Sequence, residues 1–378
     1  MKKMLMIASV ASMIDQFNMN NIQTLQEMNY EVHVAANFQH GNTSSILRLE
    51  KFQKELTDRN VVFHQIDFSR NVLNVGANYK AFKQVRTLFE MNDFELVHCH
   101  SPVGGVCGRL AARSKYTKVI YTAHGFHFYK GAPFINWLLF YPVEKWLSRK
   151  TDVLITINKE DYKMAQSFHA KKTICIPGVG INTDKYLNGV YKREEIRKEL
   201  DIPQDAFVLL SVGELSKRKN HRVVVEAISE IKQSNIIYVL CGIGVLEDEL
   251  KKLVEKYGID VRFLGYREDV LRIYTGADVF VFPSLQEGLP VALLEAMAAG
   301  LPIICSAIRG NQDLVEDCEG GFLVDPNDKL AFSERVQDLL HDYELCEKMS
   351  KYNQRAVRMC DEKVVKKLMK EIYESVVI

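Results

Sequence analysis

The sequence has no surplus of either charge. Its 378 residues carry 49 Lys plus Arg against 48 Asp plus Glu, a net charge of +1. A dedicated nucleic-acid binder would show a basic domain, so no nucleic-acid partner is expected. Clustered cysteine is also missing. The eight cysteines, at 99, 107, 175, 241, 305, 318, 346 and 360, contain no Cys-x-x-Cys pair, and most lie in apolar runs such as Ile303-Ile-Cys305. A disulfide framework or zinc ribbon needs tighter spacing, so these read as reduced, buried small hydrophobes. No window reaches the ~18 uninterrupted apolar residues of a membrane span. Lys2-Lys3 ahead of a short apolar run imitates a signal peptide. The run passes into Asp15-Gln16 without a small-residue cleavage site and reads better as a first buried strand. A soluble cytoplasmic protein is therefore expected. Low-complexity segments and short fixed repeats are absent too. What is present, 47% hydrophobic and 26% charged residues, is ordinary globular composition, with chain enough for two cores.

Strand-like and helix-like segments alternate throughout. Met4-Leu-Met-Ile-Ala8 is continuously apolar, and residues 14–28 follow with helical spacing. Further extended runs are Val32-His-Val-Ala-Ala36, Val61-Val-Phe-His-Gln-Ile66, Leu96-Val-His-Cys99, Val119-Ile-Tyr-Thr122 and Val153-Leu-Ile-Thr-Ile157, with helices near 46–60, 79–91 and 104–114. Short apolar strands without clean alternation are covered on both faces, and their alternation with helices implies βαβ units and a parallel sheet. The pattern breaks at Ile176-Pro-Gly-Val-Gly-Ile-Asn182. A second series then supplies strands near 207–212, 236–241, 261–264, 279–282, 302–306 and 321–324, and residues 345–377 read as helical and charged. The expected division is residues 1–182 as an acceptor-side domain and 183–360 as a nucleotide-sugar-binding domain. Residues 361–378 would form a helix crossing back to the first domain. Two doubly wound α/β halves would face across a cleft, and such sheets bind ligands at the carboxyl ends of their strands.

The chemically richest stretch runs from Pro283-Ser-Leu-Gln-Glu287-Gly-Leu-Pro290 into Val-Ala-Leu-Leu-Glu295-Ala-Met-Ala-Ala-Gly300-Leu-Pro302. A buried strand ends at Phe282, and a loop delivers Glu287 to the carboxyl edge of the sheet. A helix begins near Pro290, where the missing N–H costs nothing. Its free N–H groups and positive dipole end make an anion site, and Glu295 falls in its second turn. One loop and helix can thus hold a diphosphate and bring two carboxylates to sugar hydroxyls. A capped core helix with incidental acids has the same spacing.

Glu, seven residues and a second Glu, followed by Ala-Met-Ala-x-Gly-x-Pro, resembles the signature of the family-4 retaining glycosyltransferases of the GT-B fold. Ser211-Val-Gly-Glu-Leu-Ser-Lys-Arg-Lys-Asn220 resembles that family's phosphate-binding loop. Cys241-Gly-Ile-Gly244, Phe263-Leu-Gly265 and Ala277-Asp-Val-Phe-Val-Phe-Pro283 match its next landmarks in order. Thr122-Ala-His124-Gly125 resembles its His-containing loop. His124-Gly-Phe-His-Phe-Tyr129 with Trp137-Leu-Leu-Phe-Tyr-Pro142 is similar to the branch building bacterial capsules and exopolysaccharides.

The resemblance implies a donor site of Gly213, Lys217, Lys219, Gly265, Glu287, Gly288, Leu289, Val291 and Glu295. In it Lys219 contacts the diphosphate, Glu287 the sugar and Glu295 the ribose hydroxyls. It implies His124, Lys219 and Glu287 as the catalytic residues, and Ser12, His100, Ser101 and His127 on the acceptor side. The implied reaction moves a hexosyl or N-acetylhexosaminyl group from a nucleotide-diphosphate sugar to a glycan or lipid-linked acceptor, with retention. Lys219 also makes chemical sense by itself, since a fixed cation stabilises a departing diphosphate. Two positions depart from the family pattern. Glu214 stands where Arg often follows the glycine, leaving one cation fewer or Lys217 or Arg218 in its place. Ala8-Ser-Val-Ala-Ser12 replaces a glycine-rich turn.

No Asp-x-Asp triplet is present to hold Mg²⁺ or Mn²⁺, which fits transfer without cofactor or metal ion. Gly242-Ile-Gly244 begins like a dinucleotide fingerprint, but its third glycine is missing because position 247 is Glu, so no nicotinamide site is expected. His98-Cys-His100 and His124-x-x-His127 form a rival zinc set, although no acid accompanies them. Residues 126–150 are aromatic and basic, which suits either a core helix or a peripheral membrane contact. Two other functions share these features. A sugar-nucleotide epimerase would need no acceptor, and a non-catalytic nucleotide-binding partner would turn nothing over.

Overall fold

A computed structural model describes all residues except 43, 113–115, 188–190, 233–234 and 378, with only the backbone of 187. The chain forms two compact domains. The first comprises Met1–Gly180 and Glu362–Ile378, the second Ile181–Asp361.

The first domain is a seven-stranded parallel sheet. Its strands are β1 (Lys2–Val10), β2 (Tyr30–Asn37), β3 (Val62–Gln65), β4 (Phe94–His100), β5 (Lys118–Ala123), β6 (Val153–Thr156) and β7 (Lys172–Cys175), in the order β3-β2-β1-β4-β5-β6-β7. β1 is central because Met4, Leu5, Met6 and Ile7 are all fully buried, as a strand covered by helices on both faces requires. The expected single helix over 14–28 is two, Ala11–Phe17 and Met19–Glu27, broken at Asn18. The Asn18 backbone leaves the helical region (φ −124°), and its amide donates to the Met13 carbonyl at 3.2 Å. A short polar side chain that bonds nearby backbone competes with helix continuation. The expected helix over 104–114 is observed as Pro102–Ala111, and its predicted end at Ser114 lies outside the described residues.

The second domain is a six-stranded parallel sheet. Its strands are β8 (Phe207–Val212), β9 (Ile236–Cys241), β10 (Asp260–Phe263), β11 (Val279–Phe282), β12 (Ile303–Ser306) and β13 (Gly321–Val324), in the order β10-β9-β8-β11-β12-β13. Side chains alternate strictly between two cores. Phe280 and Phe282 of β11 pack with Leu293, Leu294 and Met297, whereas Val279 and Val281 face Tyr238 and Val224 on the other side.

The charged stretch expected as helical from 345 to 377 divides into Tyr343–Ala356, a tight turn Val357–Cys360 and Glu362–Val377. The last helix belongs to the first domain. Val365, Met369, Ile372, Tyr373 and Val376 form its buried stripe at the spacing of one helix face.

Candidate active site

In the second sheet the strand order reverses between β8 and β11. Loops leaving the two strands at such a switch point splay apart and leave room for a ligand. The loop after β8 carries Lys219, and the loop after β11 carries Glu287. Their side chains meet: the Lys219 ammonium is 2.8 Å from Glu287 Oε1, and each side chain is 11% exposed. Lys219 Nζ also lies 4.4 Å from the Phe282 ring centroid. Burial pushes the Lys219 pKa down, and the Glu287 charge works against that. A Cβ at Gly213 would come within 3.2 Å of Lys219 Cε, so the glycine leaves the lysine its path.

Asn220 holds the loop in place. It takes a left-handed conformation (φ +54°), and its amide donates to the carbonyls of Pro283 at 3.2 Å and Pro326 at 2.7 Å. Leu285 N–H donates to the Arg218 carbonyl at 2.8 Å, locking the two loops together. Arg218 reaches Glu287 Oε1 at 2.8 Å and the Gln286 carbonyl at 3.1 Å, while Arg309 Nε donates to the Glu287 carbonyl at 3.2 Å. Of the two cations considered as substitutes at the Glu214 departure, Arg218 is the one drawn in. Lys217 is exposed and, among the described residues, makes no ion pair.

Gly288 and Leu289 lead into the helix Val291–Ala298, whose N-cap is Pro290 and whose first turn has no side-chain cap. Its leading N–H groups are therefore open to an anion. A Cβ at Gly310 would meet the Gly288 carbonyl oxygen at 2.3 Å, so glycine there permits the close approach. Gly265 (φ +64°) accepts the Gly242 N–H at 2.8 Å, and Gly213 N–H donates to the Cys241 carbonyl at 2.9 Å. These contacts line the ends of β8, β9 and β10 with bare backbone. Glu295 is already held by phenols. Its carboxylate accepts from Tyr274 at 3.2 Å, and Tyr186 bonds it too. Burial raises its pKa against both hydroxyls. A ribose hydroxyl would have to share this carboxylate with the two tyrosines.

In the first domain, β4 and β5 end side by side with His98, His100, Thr122 and His124. His98 Nδ1 is 2.8 Å from the Tyr373 hydroxyl, and its Nε2 is 2.8 Å from Thr122 Oγ1. His100 Nδ1 lies 3.1 Å from His124 Nε2. Burial keeps all three imidazoles neutral, pushing His98 down to about 3, His124 to about 4 and His100 well below its usual range. A cavity of about 20 Å³ touches His100, Thr122, His124, Asn18 and Glu362, and the His100 Nε2 atom is buried without a partner among the described residues.

The remaining acceptor-side candidates are taken up by the scaffold. Ser101 (φ +60°) accepts the Ser9 N–H at 2.9 Å and ties β1 to β4. Ser12 is buried, with its N–H on Asn42 Oδ1 at 2.9 Å. His127 packs its ring 4.7 Å from Phe140. Among the described residues no group of three or more His, Cys, Asp or Glu is arranged to hold a metal ion, so the four-imidazole set is not assembled.

Sequence reasoning missed Arg309, Tyr186, Tyr274 and Tyr373. Tyr373 lies 275 residues from His98, and no local spacing could have joined them.

A family model described as "Glycosyl transferases group 1" matches residues 192–356, and one described as "Glycosyl transferase 4-like" matches residues 5–158. The two parallel-sheet domains and these matches define the class: the chain belongs to the group 1 glycosyltransferases, with the GT-B fold. Among its relatives is a Bacillus subtilis protein named as a glycosyltransferase, EpsD, 37% identical over 99% of this chain and 97% of its own length. An Escherichia coli UDP-Gal:alpha-D-GlcNAc-diphosphoundecaprenol alpha-1,3-galactosyltransferase is 32% identical over 67% of this chain and 68% of its own. Among solved structures, sucrose-phosphate synthase from Thermosynechococcus elongatus aligns with a TM-score of 0.80 at 20% identity, covering 99% of both chains. Anabaena HepE in complex with UDP and glucose aligns with a TM-score of 0.78 at 17% identity, over 99% of this chain and 100% of that one.

Proposed function

We propose that the chain transfers a hexosyl or N-acetylhexosaminyl group from a nucleoside-diphosphate sugar to a lipid-linked glycan, with retention, in surface-polysaccharide synthesis at the cytoplasmic face of a membrane. The observation that carries this reading is the 2.8 Å pairing of Lys219 with Glu287 ahead of an uncapped helix start. Lys219, Arg218 and the N–H groups near Leu289 supply fixed positive charge for a departing diphosphate, and such preorganised stabilisation is commonly a large catalytic term. Glu287 positions sugar hydroxyls, and the acceptor attacks the same face through an oxocarbenium-like transition state. The chain's own cations neutralise the leaving group, so the reading invokes neither metal nor cofactor.

The relative that uses UDP-Gal on a diphosphoundecaprenol acceptor supports a uridine donor and a lipid-diphosphate acceptor. The test is incubation with UDP-galactose, UDP-glucose and UDP-N-acetylglucosamine, with and without a polyprenyl-diphosphate sugar. An α-linked glycolipid, read by NMR, is expected. A β-linked product overturns retention. Donor converted without acceptor indicates an epimerase, and nucleotide bound with no turnover across the panel indicates a non-catalytic partner.

A further inference from the structure

The helix Phe134–Leu147 is apolar except at Asn136, Glu144 and Lys145, and so apolar a helix usually means burial on every side. Here only one side is covered. Trp137, Phe140 and Tyr141 pack on the core of the first domain, and Leu147 is fully buried. Glu144 turns inward to a 2.8 Å ion pair with the buried Arg109, whose guanidinium lies 3.9 Å over the Tyr121 ring. The opposite side displays Phe134, Ile135, Leu138, Leu139, Val143 and Trp146, each between 43% and 80% exposed. These positions recur at three- and four-residue steps and form one stripe. A contiguous exposed apolar stripe of this kind marks an interaction surface.

We propose that this stripe docks the protein peripherally on an anionic lipid bilayer. The inference rests on the exposed face and does not depend on the transfer reading. Charge decides the occupant. Glu144 is the only acid between positions 129 and 150, and it is spent on Arg109. Lys130 precedes the helix, while Lys145, Arg149 and Lys150 close it, and Lys130, Arg149 and Lys150 are exposed. A second copy meeting this face by two-fold symmetry would bring the same basic cluster against itself. An anionic headgroup layer meets it with opposite charge and also accepts the apolar stripe. Trp146 suits the boundary, where an amphipathic ring has one end apolar and one end wet. At 1.5 Å per residue the 14-residue helix is about 21 Å long, short of the ~30 Å hydrocarbon layer, so it lies in the interface plane. No helix among the described residues is long and apolar enough to cross a membrane.

The test is flotation of the full chain with vesicles of phosphatidylcholine, with or without phosphatidylglycerol, beside light-scattering measurement of its mass. Wild type should float with the phosphatidylglycerol vesicles and release at high salt. Arg149→Ala with Lys150→Ala should weaken that binding by roughly an order of magnitude. Leu138→Ser with Leu139→Ser should weaken it comparably, and both variants should melt with wild type because all four side chains are exposed. Wild type that stays at the bottom of the gradient overturns the proposal, as do variants that float equally well. A dimer that Leu138→Ser with Leu139→Ser converts to monomer assigns the stripe to a second copy instead. Vesicle binding without turnover would sink the transfer reading and leave this one standing.

Discussion

Glu287 pairs with both Lys219 and Arg218, so on the proposed reading it holds the cations that a donor diphosphate would need. On that reading its carboxylate competes with the diphosphate for the two cations. Glu287→Gln should therefore raise affinity for a nucleoside diphosphate while transfer falls, because the sugar loses its positioning group. Lys219→Ala should lower both, with turnover down by about two to three orders of magnitude. Titration calorimetry alongside turnover checks the pair, and weaker nucleotide binding in Glu287→Gln would contradict the competition. The loops that carry Lys219 and Glu287 were legible in the sequence because each comes after a short apolar strand, β8 or β11, while the roles given to the two residues came from the family resemblance. Arg218 was legible only as one of two candidates, since adjacent basic residues in a turn point differently and sequence does not say which way. The Glu295 environment was not legible at all. Tyr274 approaches it from a separate helix, 21 residues away in sequence, and both partners are ordinary core positions by pattern.

At the scale of elements, backbone proximity does what side chains cannot. A Cβ at Gly242 would lie 1.9 Å from the Gly213 carbonyl oxygen, inside any permitted contact, and the Gly242 φ of +151° further disfavours other residues. Gly242→Ala should cost about 2 kcal/mol or more, read as a lower urea midpoint for the second domain. An unchanged midpoint would mean that the β8 and β9 ends can part without loss. The order of strands and helices was readable because each central strand is a short run of fully buried apolar residues. β7 was missed because Lys172-Thr-Ile-Cys175 is a half-exposed edge strand with no such run. The outward face of Phe134–Leu147 was unreadable for the opposite reason. With only Asn136, Glu144 and Lys145 polar in fourteen positions, hydrophobic periodicity gives no side to choose.

For the molecule as a whole, buried neutral histidine links stability to pH. His98 and His100 in the first domain and His221 in the second are buried, with His98 and His221 pushed down to about 3 and His100 held well below its usual range, all chiefly by loss of solvent. The unfolded chain protonates them near 6.5. Below that value the unfolded state binds more protons than the folded state. The stabilisation is thus complete above about pH 6.5 and erodes as pH falls toward the folded values. Each contributes a slope of up to about 1.4 kcal/mol per pH unit within that window. Melting temperature should fall steadily between pH 7 and pH 5, and a flat profile there would refute the assignment of neutral imidazoles. The last helix, Glu362–Val377, adds a constraint in time. Residues 181–361 leave the ribosome before the helix that supplies the Tyr373 hydroxyl to His98. The half of the chain translated first is therefore finished only after the second domain has emerged, when the closing segment brings Tyr373 to the waiting His98.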